Sequence, residues 1–482
     1  MLFIGLDVGT TGVKALVLDE NGRVYGSGYR EYELVYEAGN RVTQNAEDWW
    51  TGTVEAVREA TASVDCTAIR GIGLSTQGAT MVAVDENGLP LGDALTWMDG
   101  RAVAQSKTLA QTVGEETVYR TCGWSVNPAL DAAKLMWMRE EQPDVFCKAA
   151  CFVSTLEFMN YRLAGRFVID PTNAAIRQLF NIETCDWDDP ILNVVGITRA
   201  RLPQVLPIGA PVGMLTVAAA EALGLPQSVT VFNGAHDQYC AAIGSGVIHA
   251  GDMLLATGTT WVGFGVTERP LFTESRLSPG IHPVKGRYGA IASLVSAGSA
   301  LKWYKQFIGE DYRTMDVQAA KRLLSAKDLL FYPYLCGAGF PHGGSSAHGN
   351  LIGLSLQHDR YDVARALMEG VAFEAALMLD EYAKQGMDIH RLTMTGGASR
   401  SRLWCEIVGY VTGCRLFLME EPETCCVGAG MLAAVGLGLF PDYAACAKEM
   451  VCSRELELPN GDLREFYKEK SARYREHLSK IH

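Results

Sequence analysis

No apolar run in this 482-residue chain is long enough to span a bilayer, which takes about twenty residues. The longest, Cys425 to Phe440, is broken by glycines and reads as a buried helix. No basic segment followed by a small-residue cleavage site opens the sequence, so no export signal is visible. The 13 cysteines show no metal-type spacing, and an odd number cannot all pair internally. Reduced thiols in a cytoplasmic protein are therefore expected, with Cys425-Cys426 as core packing. Positive charge is also short: the net charge of −13 argues against non-specific binding of nucleic acid or of an anionic membrane. There is no Gly-x-x-x-x-Gly-Lys-Ser/Thr loop, which excludes a P-loop. No Gly-x-Gly-x-x-Gly follows the first strand, which argues against a dinucleotide fold.

What is present starts at Ile4-Gly5-Leu6-Asp7-Val8-Gly9-Thr10-Thr11-Gly12-Val13-Lys14. It is echoed halfway along the chain by Leu254-Leu255-Ala256-Thr257-Gly258-Thr259-Thr260. Each copy is an apolar run, read as a buried strand, ended by Gly-Thr-Thr, a tight turn rich in N–H and hydroxyl donors. Successive backbone N–H groups in such a turn form a concavity suited to phosphate oxygens. Asp7 would be repelled by bare phosphate but can hold Mg²⁺ beside it. The twin turns predict an ATP-using protein with two similar halves and its site in an interdomain cleft.

A chain of this length exceeds one core and fits two domains, and 48 % apolar with 20 % charged residues is ordinary globular composition. Strands are expected at Phe3–Asp7, Val13–Asp19 and Val24–Gly28, with Asn21-Gly22 as a hairpin turn. Ala46–Ser63 reads as an amphipathic helix capped by Asn45. Val229–Asn233 is a strand leading to Gly234-Ala235-His236-Asp237-Gln238. The second half repeats the plan, with strands at Met253–Thr257 and Trp261–Val266. A Gly/Ser/His-rich loop follows at Gly337–Gly349, then a long helix at Tyr361–Gln385 and a strand Leu392–Thr395 ended by Gly396-Gly397-Ala398. Hairpins followed by helices, twice over, give an α/β protein of two similar lobes.

Four segments stand in order: the Asp7/Gly-Thr-Thr loop, Gly-x-x-Asp237 at a strand end, the second Gly-Thr-Thr, and Gly-Gly-Ala before a helix. With Trp97-x-Asp99-x-Arg101, Lys134-Leu135-x-Trp137 and Gly349-x-Leu351-x-Gly353-Leu354, the chain resembles the FGGY carbohydrate kinases from Met1 to about Phe440. The resemblance implies two actin-like, ribonuclease-H-like lobes, 1–246 carrying the sugar and 247–482 the nucleotide. It implies Asp237 as general base, with helix capping as the plainer role for that aspartate. It implies Thr10, Thr11, Lys14, Gly258, Thr259, Gly298, Lys302, Gly396, Gly397, Ala398 and Ser401 around ATP, and Asp7 organising Mg²⁺. The partner is a small sugar or polyol, with no nucleic acid or membrane, and assembly as a homodimer is compatible with the pattern.

Sugar recognition departs from the family. Where relatives carry Gln-Met-His or Gln-Arg-Glu, this chain reads Gln77-Gly78-Ala79. Trp97, Asp99 and Arg101 resemble the pentulose kinases, while Asp237-Gln238 resembles the glycerol kinase pair. The expected activity is transfer of the γ-phosphate of ATP to a terminal hydroxyl of a ketose or polyol, with a xylulose-like pentulose first. A sugar acid such as gluconate, or a larger ketose, is the alternative, because Gly78 and Ala79 are expected to leave room. A catalytically weak actin-like structural or sensor protein is the rival from another class.

Overall fold

The computed structural model describes residues 1–342, 347–458 and 461–478, and the chain divides into two compact units. The first is built from Met1–Ile248, Ser278–Gly289 and Glu423–Val451, the second from His249–Leu277, Ala290–Pro422 and Cys452 onward. The chain thus passes from the first unit to the second at Ile248/His249, two residues beyond the expected boundary, and re-enters the first unit twice, at Ser278 and at Glu423. Of the loop expected at Gly337–Gly349, residues 343–346 lie outside the described residues.

The first unit carries a six-stranded sheet in the order Pro211–Met214, Thr230–His236, Ile69–Thr76, Leu2–Val8, Gly12–Asp19, Val24–Glu31. Leu2–Val8 pairs antiparallel with Gly12–Asp19 through the Gly-Thr-Thr turn and parallel with Ile69–Thr76. Apolar and glycine residues dominate these central strands, which are buried on both faces. The helix Thr424–Gly436 packs on one of them. A Cβ at Gly5 would overlap the carbonyl of Cys426, and one at Gly73 that of Ala429. Glycine at both positions is what lets the helix backbone touch the sheet, and this draws residues 423–451 into the first unit. Of the apolar run 425–440, the part up to Gly436 is a buried helix, as expected, while Leu437–Phe440 form a partly exposed turn. On another edge, Ala46–Thr61 is capped by Asn45, whose side chain accepts from the Glu47 amide, and it buries Trp49, Ala56 and Val57.

The second unit repeats the plan. Asp252–Thr257 pairs antiparallel with Trp261–Thr267 and parallel with Arg391–Gly396, which continues to Leu416–Met419 and Ser453–Glu455. The helix Arg360–Lys384 begins with a reciprocal capping box of Asp359 and Asp362, and most of its length is buried. Among the described residues no helix is long and apolar enough to cross a membrane.

Candidate active site

In the first unit three neighbouring parallel strands end level with one another. Val8 lies opposite Thr76, and Thr76 opposite His236. The residues immediately past those three ends are Gly9 of the Gly-Thr-Thr turn, Gln77 and Asp237. Ligands in open α/β sheets collect outside the carboxyl ends of the strands, and here that edge gathers the turn expected to hold phosphate, the segment expected to read the sugar and the candidate base.

Asp7, one residue inside the edge, accepts a 2.7 Å bond from Ser75 at Oδ1, its register partner on the next strand. Burial pushes its pKa up from 3.8 to about 7; the Ser75 bond opposes the shift, and the charges of Asp237 and Glu423 add to it. Lys14 pairs with Glu423 at 2.5 Å. Burial works against the charge of Lys14, yet the Glu423 bond and nearby Asp7 hold its pKa above the ordinary value. The turn between them is held firmly. Gly9 donates to the Gly12 carbonyl, Tyr32 donates its hydroxyl to the Gly9 carbonyl, and the Trp97 indole donates to Thr10 Oγ1 at 2.9 Å. Thr11 is exposed.

Asp237 opens the helix Asp237–Gly244, but the cap is His236, whose Nδ1 accepts from the Gln238 amide at 3.3 Å. The capping role considered for Asp237 thus falls to its neighbour. Asp237 Oδ1 lies 3.2 Å from the same Nδ1 without a hydrogen bond, since that lone pair is already turned to Gln238. Three buried acceptor atoms just past the strand ends therefore lack protein donors, Asp237 Oδ1, Gln238 Oε1 and Gln77 Oε1, and the Thr76 hydroxyl at the end of the central strand is unpartnered as well. An unpaired buried acceptor costs about 1–3 kcal/mol, so three together point to a ligand that brings hydroxyl donors.

The space expected at Gly78 is not empty. A Cβ there would fall on the His236 ring, 2.6 Å from Nε2. Because Nδ1 is an acceptor, the ring hydrogen sits on Nε2, so a donor from the next strand occupies the place of the missing side chain. Ala79 has φ of 52° and is buried with Leu130, Ile176 and Trp124. Its carbonyl accepts from Lys134 at 2.9 Å, and the same ammonium donates to Leu95 and Thr96. Burial lowers the Lys134 pKa to about 8.

The Trp97-x-Asp99-x-Arg101 segment splits in two. Trp97 joins the phosphate turn. Asp99 is fully buried and fully engaged, accepting from the Val42 amide and from the Arg101 side chain through both oxygens. Arg101 also lies over the Trp137 ring, 4.8 Å from its centroid, and lines a cavity of about 240 Å³ with Glu37, Arg41 and Asp93. None of Gln77, Asp237 and Gln238 lines that cavity. Asp99 and Arg101 thus hold each other, and the Arg101 side chain also lines this cavity.

In the second unit the expected nucleotide residues collect at one strand edge. Thr257 is opposite Gly396, so Gly258 and Gly397 are the next residues on neighbouring parallel strands. Thr257 Oγ1 accepts from the Ala398 amide at 3.1 Å and donates to the Thr395 carbonyl. Gly396 has φ of 87° with the Thr257 backbone against it, so only glycine fits. Gly298 begins the helix Gly298–Ile308, where a Cβ would strike the Gly258 carbonyl, and Ser299 donates to the Thr259 carbonyl at 2.9 Å. Lys302 is exposed one turn further on. Ser401 is the cap of Arg402–Thr412, accepting from the Trp404 amide at 3.0 Å. The exposed glycine backbone of 258, 396 and 397 is open to a ligand; the Ser401 oxygen is already used.

Sequence reasoning missed Gln44, Ser75, Tyr32 and Glu423. Ser75 could have been found as a polar residue at the end of an apolar strand. Glu423 is drawn to Lys14 across 409 positions, and no local pattern signals it.

The first unit thus carries a strand-edge site with an orphaned carboxylate among unpaired acceptors, and the second a strand-edge site lined by bare glycine backbone. The sequence model of the FGGY family of carbohydrate kinases matches in both parts, the N-terminal domain at residues 2–244 and the C-terminal domain at 253–437. The chain belongs to that family and is a carbohydrate kinase using ATP. It is 29 % identical to a xylulose kinase of Staphylococcus epidermidis, over 97 % of this chain and 94 % of that protein. It is 25 % identical to a gluconokinase of Bacillus subtilis, over 96 % of this chain and 93 % of that one. The structure of a ligand-bound xylulose kinase from Lactobacillus acidophilus superposes with a TM-score of 0.93 at 23 % identity, covering 100 % of this chain and 98 % of the other. The fold is the two-lobed actin-like one.

Proposed function

We propose that the protein transfers the γ-phosphate of ATP to the terminal hydroxyl of a neutral ketose, with xylulose as the first substrate to try. The observation that carries this reading is the set of orphaned acceptors, Gln77 Oε1, Asp237 Oδ1 and Gln238 Oε1, beside a single imidazole N–H over Gly78. Sugar hydroxyls can donate to all three; a carboxylate placed against them could donate to none, and a sugar acid would need a free cation besides.

The cations of the same segments are already committed. Arg101 is held by Asp99 and Lys134 by three carbonyls, while Arg177 is bound to Asp131 and Glu157. This weighs against a sugar acid, although the gluconokinase relative keeps gluconate as the second reading. It also withdraws the argument for a larger ketose, since His236 fills the room once expected at Gly78. Steady-state assays on D-xylulose and gluconate should give kcat/KM at least about tenfold higher for the ketose, the order set by leaving a charged group unpaired. A higher value for gluconate would favour the second reading.

In the reaction, Asp237 Oδ1 takes the proton of the attacking hydroxyl as it closes on the γ-phosphorus. Thr10 Oγ1 accepts from Trp97, so its own hydrogen is free for a phosphate oxygen. Lys14 brings positive charge to the β- and γ-phosphates, and the backbone at Gly258, Thr259, Gly396 and Gly397 lets the nucleotide lie close.

The residues also fit Mg²⁺. Asp7 keeps Oδ2 clear while Ser75 fixes Oδ1, and the neighbouring carboxylates favour a cation there. Among the described residues no three His, Cys, Asp or Glu side chains gather as ligands. That suits an ion held chiefly by water and phosphate, which would neutralise charge on the transferring group. In the ligand-free chain Asp7 titrates near 7, above its ordinary 3.8, so folding takes up a proton between those values. The associated stability is full below about pH 4 and is lost as pH rises through 7. A cation favours the ionised form and works the other way. Titration calorimetry should therefore show Mg-ADP affinity falling about tenfold more between pH 8 and pH 6 in the wild type than in Asp7→Asn. Equal losses would remove Asp7 from the metal site.

A further inference from the structure

Gln44 ends the strand Arg41–Gln44, just before the cap of the first long helix, and is buried to 1 % exposure. Both ends of its amide are used. Nε2 donates to the Thr10 carbonyl in the phosphate turn, while Oε1 accepts from Gln77 Nε2 at 2.9 Å and from the Trp49 indole at 3.3 Å. Gln77 is oriented by this bond so that its own Oε1 is the orphaned acceptor of the sugar segment. A second tether reaches the same threonine from the Trp97 indole. The sugar-reading side chain and the phosphate turn are thus joined by direct hydrogen bonds through one buried amide.

We propose that Gln44 is a positioning residue that couples sugar occupancy to nucleotide binding. A sugar hydroxyl donating to Gln77 Oε1 fixes that amide. Gln77 then fixes Gln44, and Gln44 holds the Thr10 carbonyl so that the turn's N–H groups and the Thr10 hydroxyl face the phosphates. Ordering one site lowers the conformational cost of ordering the other, and the coupling is reciprocal by thermodynamic linkage. The inference rests on the kinase reading above.

The test is the affinity for a Mg²⁺ complex of a non-hydrolysable ATP analogue, measured by calorimetry with and without saturating D-xylulose. In the wild type the sugar should tighten the analogue roughly 5–100-fold. In Gln44→Met that factor should fall to within about twofold of one, with the analogue still binding alone. Gln77→Met, which keeps the bonds of Gln44 to Thr10 and Trp49, should lose the coupling equally, and the double variant should lose no more. It also serves as the test if Gln44→Met fails to fold. Coupling retained in either folded variant, or absent in the wild type, overturns the proposal. If the wild type binds neither analogue nor sugar, it is the kinase reading that fails.

Discussion

Asp237→Asn is expected to lower kcat by about 10²–10⁴-fold while leaving KM for sugar and for ATP within about threefold. The change keeps size and shape but replaces the orphaned Oδ1 with a group that cannot take a proton. The helix should survive, because its cap is the His236 ring and not the aspartate. Steady-state kinetics with D-xylulose as the variable substrate, and circular dichroism of the variant, provide the check. A variant keeping more than a third of the wild-type kcat would leave Asp237 without a role in proton transfer.

Arg177→Met is expected to produce the largest loss of stability. Arg177, Asp131 and Glu157 are all fully buried, and the guanidinium donates to Asp131 at 2.7 Å, to Glu157 at 3.0 Å and to the Phe152 carbonyl at 3.0 Å. Removing the cation strands two carboxylates, a defect that costs about 3–5 kcal/mol. Burial already raises the Glu157 pKa, with Arg177 pulling it down, so loss of Arg177 raises it further. A folded-state pKa above the unfolded one gives stability that is lost as pH rises, so the deficit should grow from pH 5 to pH 8. Adding Asp131→Asn and Glu157→Gln should recover part of it. Denaturant melts at two pH values read both effects, and a loss below about 1 kcal/mol would show that the triad contributes little.

The parts of this structure legible from sequence are those set by short-range chemistry. Apolar runs ending in Gly-Thr-Thr, Asn45 before a helix and Gly396-Gly397 after a strand each state a local geometry, and the fold realises all of them. The strand Ile69–Thr76, which carries Gln77 to the same edge as Gly9 and Asp237, was not expected from the sequence, so the register joining the three was not legible there. What stayed hidden depends on neighbours remote in sequence. Gly78 looked like vacant space because nothing local reveals that the His236 ring crosses to fill it. The pairing of Arg101 with Asp99, by contrast, is local, two residues apart in one segment, and was within reach of the sequence. That a helix from residue 424 onward packs against the backbone of Gly5 and Gly73 is equally a matter of remote neighbours.

The most direct test of a base-assisted phosphoryl transfer to a neutral ketose is product analysis by ³¹P and ¹H NMR after incubation with Mg-ATP and D-xylulose. The expected result is one ADP formed per sugar phosphate, with the phosphate on the terminal C5 hydroxyl and almost none formed by Asp237→Asn. ADP and inorganic phosphate released without any sugar phosphate, while gluconate in the same tube becomes phosphorylated, would contradict it.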